Sequence, residues 1–254
     1  MELGLAGRVA LVTGVSYGIG AATAATLIDE GMQVIGTSRT APDARAGLAH
    51  AAIDMSNADA GERAVEACLA EFGRLDVVVN NVGHGRIGTG FADETDDIWH
   101  AYLELNFMSA VRTSRAAMPS LLENGGVIVN VSSLNGRLPE SGIYSYSASK
   151  AAMNNLTLNL AREYAGRGVR VVGVAPGPVE TPLWLGPNGA AAQASALGAG
   201  DPDDIVAGTR NSIPIGRFST ADEIAALIAF LVSPRAGSIT GTTVTIDGGI
   251  TPTT

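Results

Sequence analysis

Cysteine and histidine are both rare in the 254-residue sequence, and their scarcity excludes several kinds of site. Cys68 is the only cysteine, so neither an intrachain disulfide nor a zinc site built from cysteines is possible, and a reducing compartment is indicated. The three histidines are His50, His84 and His100, and their spacing is not that of metal ligands. We therefore expect no metal site.

Basic residues are in short supply, because 16 lysines and arginines face 25 aspartates and glutamates, which gives a net charge of −9. This charge disfavours nucleic acid and anionic membranes as partners. Only 16% of the residues are charged and 46% are hydrophobic, which excludes the composition of a disordered chain and allows a sizeable core.

Long hydrophobic runs are absent as well. One of the two longest uncharged stretches, residues 181–200, is broken by prolines and glycines, whereas a membrane helix needs about 20 mostly apolar residues. Residues 1–5 lack the basic start and apolar core of a signal peptide. We therefore expect a cytoplasmic protein without membrane contact.

Short β-branched runs alternate with helical patterns along almost the whole chain, and several runs are apolar without alternation, as expected for strands covered on both faces. The predicted strands are Val9–Thr13, Val34–Thr37, Ala51–Met55, Asp76–Asn80, Val127–Ser132, Val169–Ala175 and Thr242–Ile246. The predicted helices are Ile19–Glu30, Gly61–Phe72, Ile98–Met118, Ala148–Tyr164 and Ala221–Leu231. This alternation predicts an α/β fold with a parallel sheet and helices on both faces, in a single domain over residues 1–254.

Residues 183–211 form the one weakly patterned segment, rich in Ala and Gly and with few strong hydrophobic anchors. An insertion of this length without regular structure is usually a lid or a disordered segment. We predict a mobile substrate flap here, and the alternative is a plain connector.

A glycine-rich loop follows the first predicted strand and opens the first helix. Glycines at positions 14, 18 and 20 allow a tight turn in which main-chain N–H groups approach a pyrophosphate, next to the partial positive charge of a helix N-terminus. The spacing differs from the common G-x-G-x-x-G fingerprint, although the physical basis is the same. The alternative is an ordinary strand-to-helix turn.

The end of the second predicted strand bears on the choice of cofactor. An NAD site usually places a carboxylate there to accept from the ribose 2′-OH, but this strand ends without an acid and is followed by Arg39. A guanidinium matches the oxygens of a 2′-phosphate. The sequence therefore favours NADP(H) over NAD(H), and the alternative is a solvated arginine.

Tyr146 and Lys150 lie four residues apart at the predicted start of a helix, so their side chains share one face. At about 5 Å and an effective dielectric constant of about 20, the ammonium would stabilise a phenolate by roughly 3 kcal/mol. That attraction predicts a phenol pKa about two units below its usual value of about 10, suited to general acid or base catalysis. The nearby Tyr144 has no charged residue four positions on.

Two further polar residues are candidates for the same site. Ser133 follows a predicted strand, at the edge of the sheet where ligands collect, and its hydroxyl would hold the substrate oxygen; Ser132 is the competing candidate. Asn106 lies within an apolar helical pattern and needs hydrogen-bonding partners. It is either a satisfied core amide or the holder of a water that links the lysine to solvent.

From Val9 to Gly249 the chain resembles the short-chain dehydrogenase/reductase family. The motifs that carry the resemblance are Thr13-Gly14-x-x-x-Gly18-Ile19-Gly20, Asn80-Asn81-Val82-Gly83, Asn106, Ser133, Tyr146-x-x-x-Lys150, Pro176-Gly177 and Asp247-Gly248-Gly249. The resemblance implies a single Rossmann-type domain with a doubly wound, seven-stranded parallel sheet. It also implies an NAD(P)-dependent oxidoreductase that acts on CH–OH groups, with a catalytic tetrad of Asn106, Ser133, Tyr146 and Lys150.

The same resemblance implies how the cofactor is held. Lys150 would bond the nicotinamide ribose, Asp54 the adenine amino group, and Val179 and Thr181 the nicotinamide amide. The full set of implied cofactor-binding residues is Gly14, Ser16, Tyr17, Gly18, Ile19, Gly20, Ser38, Arg39, Asp54, Met55, Asn81, Val82, Gly83, Tyr146, Lys150, Pro176, Gly177, Val179 and Thr181. Similar proteins are commonly homotetramers built on two long helices and the C-terminal strand, so a homotetramer or homodimer is expected.

Two positions depart from the family pattern. Position 82 is Val where Ala is usual, which crowds the adenine side of the cofactor pocket slightly. Position 17 is Tyr where many NADP-dependent members carry a second basic residue. Binding of the 2′-phosphate would therefore depend mainly on Arg39, with further hydrogen bonds from Thr37, Ser38 and backbone donors.

The expected substrate loops are His84–Gly90, Leu134–Ile143 and the flap with Leu183, Trp184 and Leu185. Because these are mostly apolar or small, we predict a neutral, fairly hydrophobic ketone or secondary alcohol as substrate. Alternatively, His84 and Arg86 hold a polar group.

Three other functions stay open. One is an NAD-dependent alcohol or sugar dehydrogenase, and another is a 3-oxoacyl-carrier-protein reductase, which the net charge of −9 disfavours because the carrier protein is acidic. The third is a non-catalytic nucleotide sensor, which the retention of all four tetrad residues disfavours.

Overall fold

Seven strands form one parallel sheet in the computed structural model, which describes residues 2–252. The strands are β1 (Val9–Thr13), β2 (Gln33–Ser38), β3 (Leu48–Ala52), β4 (Val77–Asn80), β5 (Val127–Val131), β6 (Arg170–Pro176) and β7 (Thr243–Ile246). Their order is β3-β2-β1-β4-β5-β6-β7, so the direction of winding reverses between β1 and β4. This confirms the predicted doubly wound, seven-stranded parallel sheet. Met1, in the N-terminal segment interpreted above, and residues 253–254 lie outside the described residues.

Helices cover both faces of the sheet, which explains why the central strands are apolar without alternation. On one face α1 (Gly18–Asp29) and α9 (Ala221–Val232) pack on a core layer that includes Val12 and Val79. On the other face α2 (Ala60–Phe72), α4 (Ser109–Asn124) and α5 (Tyr144–Tyr164) pack on a layer that includes Leu11 and Val78. Neighbouring residues of one strand therefore belong to different core layers.

The third strand lies three residues earlier than the predicted Ala51–Met55. It is the edge strand and only partly buried, so no continuous apolar run marks its start. It ends early because the Asp54 carboxylate accepts from the Ser56 backbone N–H at 3.0 Å, which closes a turn.

The predicted helix Ile98–Met118 is interrupted. The structure has α3 (Asp96–Leu103), then a π-helical turn over Glu104–Met108, and then α4. Asn106 lies in the π-helical turn. Such turns are common where a helix must aim a side chain at a site, and periodicity alone does not reveal them.

The segment predicted to lack regular structure contains three helices: α6 (Pro182–Leu185), α7 (Ala190–Ala196) and α8 (Pro202–Ser212). Alanine favours the helix in α7, and the Asp201 side chain caps α8 by accepting from the Asp203 N–H. The absence of structure was therefore a wrong expectation, whereas the mobility of the flap stays a prediction. Within residues 2–252, no helix has the length and apolar character to cross a membrane.

Candidate active site

A cavity of about 830 Å³ opens at the carboxyl ends of the strands, where the sheet reverses its winding. Ligands of open α/β sheets bind at this place. Every residue that the sequence implies around the cofactor lines the cavity except Gly20. Ser133, Tyr146 and Lys150 line it as well. The sequence motifs therefore meet in one cleft.

The glycine loop is shaped for close approach by a ligand. Gly14 has φ +78° and Gly18 has φ +63°, a region that favours glycine. A Cβ at Gly20 would lie 2.1 Å from the Gly14 carbonyl oxygen, so Gly20 acts by packing the loop on itself. The first turn of α1 carries no acidic residue and no side-chain cap. Its N–H groups are therefore available to a pyrophosphate, and the residues present fit a dinucleotide.

Asn81 supports the loop from below. Its side-chain nitrogen donates to the Thr13 carbonyl at 2.9 Å and to the Gly14 carbonyl at 3.1 Å. The Thr13 hydroxyl oxygen in turn accepts from the backbone N–H groups of Asn81 and Val82. Asn81 thus borders the cavity, but its amide nitrogen is engaged in holding the glycine loop in shape.

At the adenosine end, Arg39 offers an exposed, positively charged side chain. Arg39 is exposed, lines the cavity and forms no ion pair within residues 2–252. The Ser38 hydroxyl is already engaged, since it donates to the Thr40 carbonyl at 2.6 Å. Thr37 is fully buried and does not line the cavity, so the help expected from it is not available. Hydrogen bonds from Ser56 hold the pKa of Asp54 below its usual value, and Arg39 adds a smaller effect in the same direction.

Tyr146 and Lys150 occupy successive turns of α5 and both face the cavity. The Lys150 Nζ lies 5.8 Å from the centre of the Tyr146 ring and donates to the Val131 carbonyl at 2.9 Å. Lys150 is buried and is the only lysine of the sequence. Burial lowers its pKa to about 8, because a low-dielectric surrounding disfavours the charged form.

The expected lowering of the phenol pKa by Lys150 is wrong. Burial raises the pKa of Tyr146 above its usual value, and the hydrogen bond with the Ser133 hydroxyl opposes that rise. Lys150 does not contribute, because its ammonium points to the Val131 carbonyl and its own charged form is disfavoured by burial. The chain therefore holds Tyr146 as a protonated phenol at neutral pH.

The geometry also separates the two candidate serines. The Ser132 hydroxyl donates to the Lys150 backbone carbonyl at 3.1 Å, so it fastens α5 to the end of β5. The Ser133 hydroxyl lies near Tyr146 instead, where it opposes the rise in the pKa of the phenol. Ser133 is thus the serine beside the phenol.

Asn106 is a fully buried and satisfied amide beneath the cavity floor. Its oxygen accepts from the His84 backbone N–H at 2.8 Å, and its nitrogen donates to the His84 carbonyl at 3.0 Å. The amide therefore holds the main chain of the loop after β4 beside Lys150, in agreement with the satisfied-amide interpretation. A role in holding a water stays a prediction.

Comparison with known proteins identifies the family of the chain. A family model described as enoyl-(acyl carrier protein) reductase matches residues 14–251. The 3-oxoacyl-[acyl-carrier-protein] reductase FabG of Vibrio cholerae is 35% identical over 256 residues, which cover 98% of this chain and 99% of that protein. The chain belongs to the short-chain dehydrogenase/reductase family.

Two solved structures of this family overlay closely. L-sorbose reductase of Gluconobacter frateurii, complexed with NADPH and L-sorbose, has a TM-score of 0.90 at 29% identity and covers 100% of both chains. A 3-ketoacyl-(acyl-carrier-protein) reductase of Brucella melitensis, complexed with NADH, has a TM-score of 0.85 at 30% identity, covering 97% of this chain and 99% of that one. This chain is therefore an NAD(P)-dependent oxidoreductase that acts on CH–OH or keto groups.

Glu94 is a supporting residue of this short-chain dehydrogenase/reductase that sequence reasoning missed. Its carboxylate accepts from the Ser145 backbone N–H at 3.0 Å, at the first turn of α5. This contact explains why α5 begins at Tyr144 rather than at the predicted Ala148, since the cap comes from 51 positions away in sequence. No local signal could have revealed it.

The substrate end of the cavity is more polar than predicted. Ile87, Leu134, Ile143, Leu183 and Trp184 line it as expected, whereas Leu185 does not. Polar side chains also line the substrate end, namely His84, Arg86, Asn135, Glu140, Gln193, Thr209 and Ser212. The cavity wall therefore offers hydrogen bonds as well as apolar contact.

Gln193, on α7, joins the flap to the loop after β4. Its side-chain oxygen accepts from the Ile87 N–H at 2.8 Å, and its nitrogen donates to the Asn188 carbonyl at 2.8 Å. We expect Gln193→Ala to raise KM for the carbonyl substrate about 3- to 10-fold, because the lost bond to the Ile87 N–H, which joins the flap to the neighbouring loop, contributes about 1 kcal/mol. Steady-state kinetics measures this change in KM, and Gln33→Ala, at the exposed start of β2, is the control. Equal KM values for the two variants would contradict the effect.

Proposed function

We propose that the chain is an NADPH-dependent reductase of ketones, with Tyr146 as the general acid. The observation that carries the proposal is the meeting of Ser133, Tyr146 and Lys150 in the same cavity that the glycine loop lines. When bound, the nicotinamide cofactor supplies the hydride for reduction, or accepts it in the reverse direction.

The side chains of this protein would handle the proton. Tyr146 donates its phenolic proton to the substrate oxygen, and Ser133 holds the same oxygen by a hydrogen bond. The raised pKa of Tyr146 keeps the phenol protonated at neutral pH, which suits reduction. Lys150, whose pKa is about 8, can pass a proton back toward the phenolate once it has formed.

NADPH is proposed over NADH because of Arg39. Its guanidinium is exposed at the edge of the cavity, without a carboxylate partner in the described chain, and β2 ends without an acid that would repel a 2′-phosphate. The relatives do not agree on this point, since the sorbose reductase was complexed with NADPH and the Brucella protein with NADH.

Replacing Arg39 with Ala tests the cofactor preference. We expect the Kd for NADPH to rise about 10- to 100-fold and the Kd for NADH to change by less than about 3-fold, since a charge-assisted bond to phosphate contributes about 1.5–3 kcal/mol. Fluorescence titration with both cofactors measures the two constants. Arg45→Ala is the control, because Arg45 lies in the same loop but pairs with Asp29. Tighter binding of NADH than of NADPH by the parent would remove the preference.

The substrate class follows from the mixed lining of the cavity. Arg86 and Glu140 among its walls favour a second candidate beside a plain hydrophobic ketone, namely a hydroxylated, sugar-like carbonyl compound. The name of the Vibrio relative suggests a third substrate, a 3-oxoacyl chain on a carrier protein. The net charge of −9 disfavours this substrate, because it repels an acidic carrier protein at long range.

One assay tests the proposed activity. The loss of NADPH absorbance is followed with hydrophobic ketones, ketoses, and a 3-oxoacyl thioester offered both on pantetheine and on an acidic carrier protein. We expect turnover of ketones and little gain from the carrier protein. Absence of turnover with every compound and with both cofactors would contradict the proposal. A cytoplasmic location and a homotetramer or homodimer stay predictions.

A further inference from the structure

The hydroxyl of Ser133, which lies near Tyr146, forms its hydrogen bonds with Asn135. Asn135 lies in the 3₁₀ turn that follows β5 and lines the cavity. The Ser133 oxygen accepts from the Asn135 backbone N–H at 3.1 Å, and the Ser133 hydroxyl donates to the Asn135 side-chain oxygen at 3.2 Å. One residue therefore engages both the oxygen and the proton of this hydroxyl.

The orientation of the Asn135 amide follows from its other bond. Its side-chain nitrogen donates to the Leu138 carbonyl at 3.2 Å, and a carbonyl can only accept. The amide nitrogen must therefore face Leu138, which leaves the amide oxygen facing Ser133. Ser133 has a single hydroxyl proton, so a proton given to Asn135 is withheld from Tyr146.

We propose that Asn135 is a positioning residue whose side-chain oxygen holds the Ser133 proton away from Tyr146, and so disfavours the phenolate relative to the phenol. The proposal rests on the proposed function for its catalytic meaning. A substrate oxygen that enters the site would compete with Asn135 for the same proton. The backbone N–H of Asn135, which Asn135→Ala retains, would keep the Ser133 oxygen in place throughout.

Replacing Asn135 with Ala removes the acceptor of the Ser133 hydroxyl proton. The Ser133 oxygen stays in place, because the backbone N–H of residue 135 still donates to it. Without the amide oxygen, the Ser133 hydroxyl is free to donate to a phenolate at Tyr146. We expect the pKa of Tyr146 to fall by about one, which is about a tenfold rise in the phenolate fraction at a given pH. The phenolate absorbance of each protein, minus that of its Tyr146→Phe counterpart, measures this pKa without turnover.

Two controls make the measurement specific. Asn154→Ala removes a bond to the Gly136 carbonyl of the same turn without touching Ser133, so it loosens the turn and should leave the pKa of Tyr146 unchanged. In a Ser133→Ala background, Asn135→Ala should have no effect, because the proton it controls is gone. The ionisable groups around the cavity other than Tyr146 are the same in all these proteins, namely Tyr17, Arg39, Asp54, His84, Arg86, Glu140 and Lys150.

The outcomes separate this proposal from the proposed function. A fall in the pKa that is confined to Asn135→Ala and vanishes in the Ser133→Ala background supports the positioning role, even if no carbonyl compound is reduced. An unchanged pKa, a fall shared by Asn154→Ala, or a fall that persists without Ser133 would overturn it, even if ketones are reduced readily.

Discussion

Tyr146→Phe is expected to lower turnover of any accepted ketone by about 10²- to 10⁴-fold, the range that general acid catalysis contributes. Phenylalanine fills the same space but has no proton to donate to the developing alkoxide. KM and cofactor binding should change little, because the ring remains beside the cavity. Initial rates with saturating cofactor, together with a cofactor titration, measure both effects.

Tyr144→Phe is the matched control for this prediction. Tyr144 belongs to the same helix, but its ring packs edge-on against Phe91 and does not line the cavity. It should keep the turnover of the parent within about 3-fold, as expected of a residue that makes no contact with the reacting atoms. A Tyr146→Phe variant as active as Tyr144→Phe would remove the phenol from the mechanism.

The parts of the site that could be predicted from the sequence are those in which spacing along the chain dictates geometry. Tyr146 and Lys150 face the cavity together because four residues make about one helical turn. Gly14 and Gly18 take left-handed conformations where the strand-to-helix turn requires them. Ser133 comes just after β5, so its place at the carboxyl edge of the sheet could be predicted from the strand. These features depend on local chain geometry, which the residue pattern reveals.

The parts that could not be predicted depend on long-range contacts. The Lys150 ammonium donates to Val131, 19 positions earlier, and burial raises the phenol pKa that was expected to fall. The helix cap from Glu94 and the flap contact of Gln193 span 51 and 106 positions. No periodicity marks such partners, because tertiary packing alone decides which side chains meet.

The substrate end and the edge strand illustrate a second limit. Residue types in a loop reveal its average polarity but not which side chains face inward, so Leu185 was expected in the cavity and Glu140 was not singled out. For the edge strand β3, partial burial removes the apolar run by which the other strands were recognised. In both cases the missing information is which face of a segment is covered.

Lys150→Met should abolish most activity and yet stabilise the protein. Turnover should fall about 10²-fold or more, because the phenolate loses its proton relay and the implied contact with the nicotinamide ribose. Stability should rise by about 1–3 kcal/mol at neutral pH, since a buried ammonium whose pKa falls from 10.5 to about 8 opposes folding while it is charged. The loss of the bond to the Val131 carbonyl offsets part of that gain.

The pH dependence distinguishes this electrostatic cost from better packing by methionine. Between about pH 8 and pH 10.5 the unfolded chain binds the Lys150 proton and the folded chain does not, so the stability of the parent rises with pH over that interval. Below about pH 8 both states hold the proton and the penalty is complete. Urea unfolding of parent and variant should therefore give a difference that shrinks as the pH rises through this interval.

Arg162→Met provides the control, because it removes a cation from the exposed face of the same helix. It should change the free energy of unfolding by no more than about 0.5 kcal/mol at any pH. A Lys150→Met variant that is less stable than the parent at neutral pH, or whose advantage is independent of pH, would show that the buried lysine carries no penalty. Because Lys150 is the only lysine, the ¹⁵N resonance of its ammonium group can be followed without overlap from other lysines, and its titration gives the pKa directly.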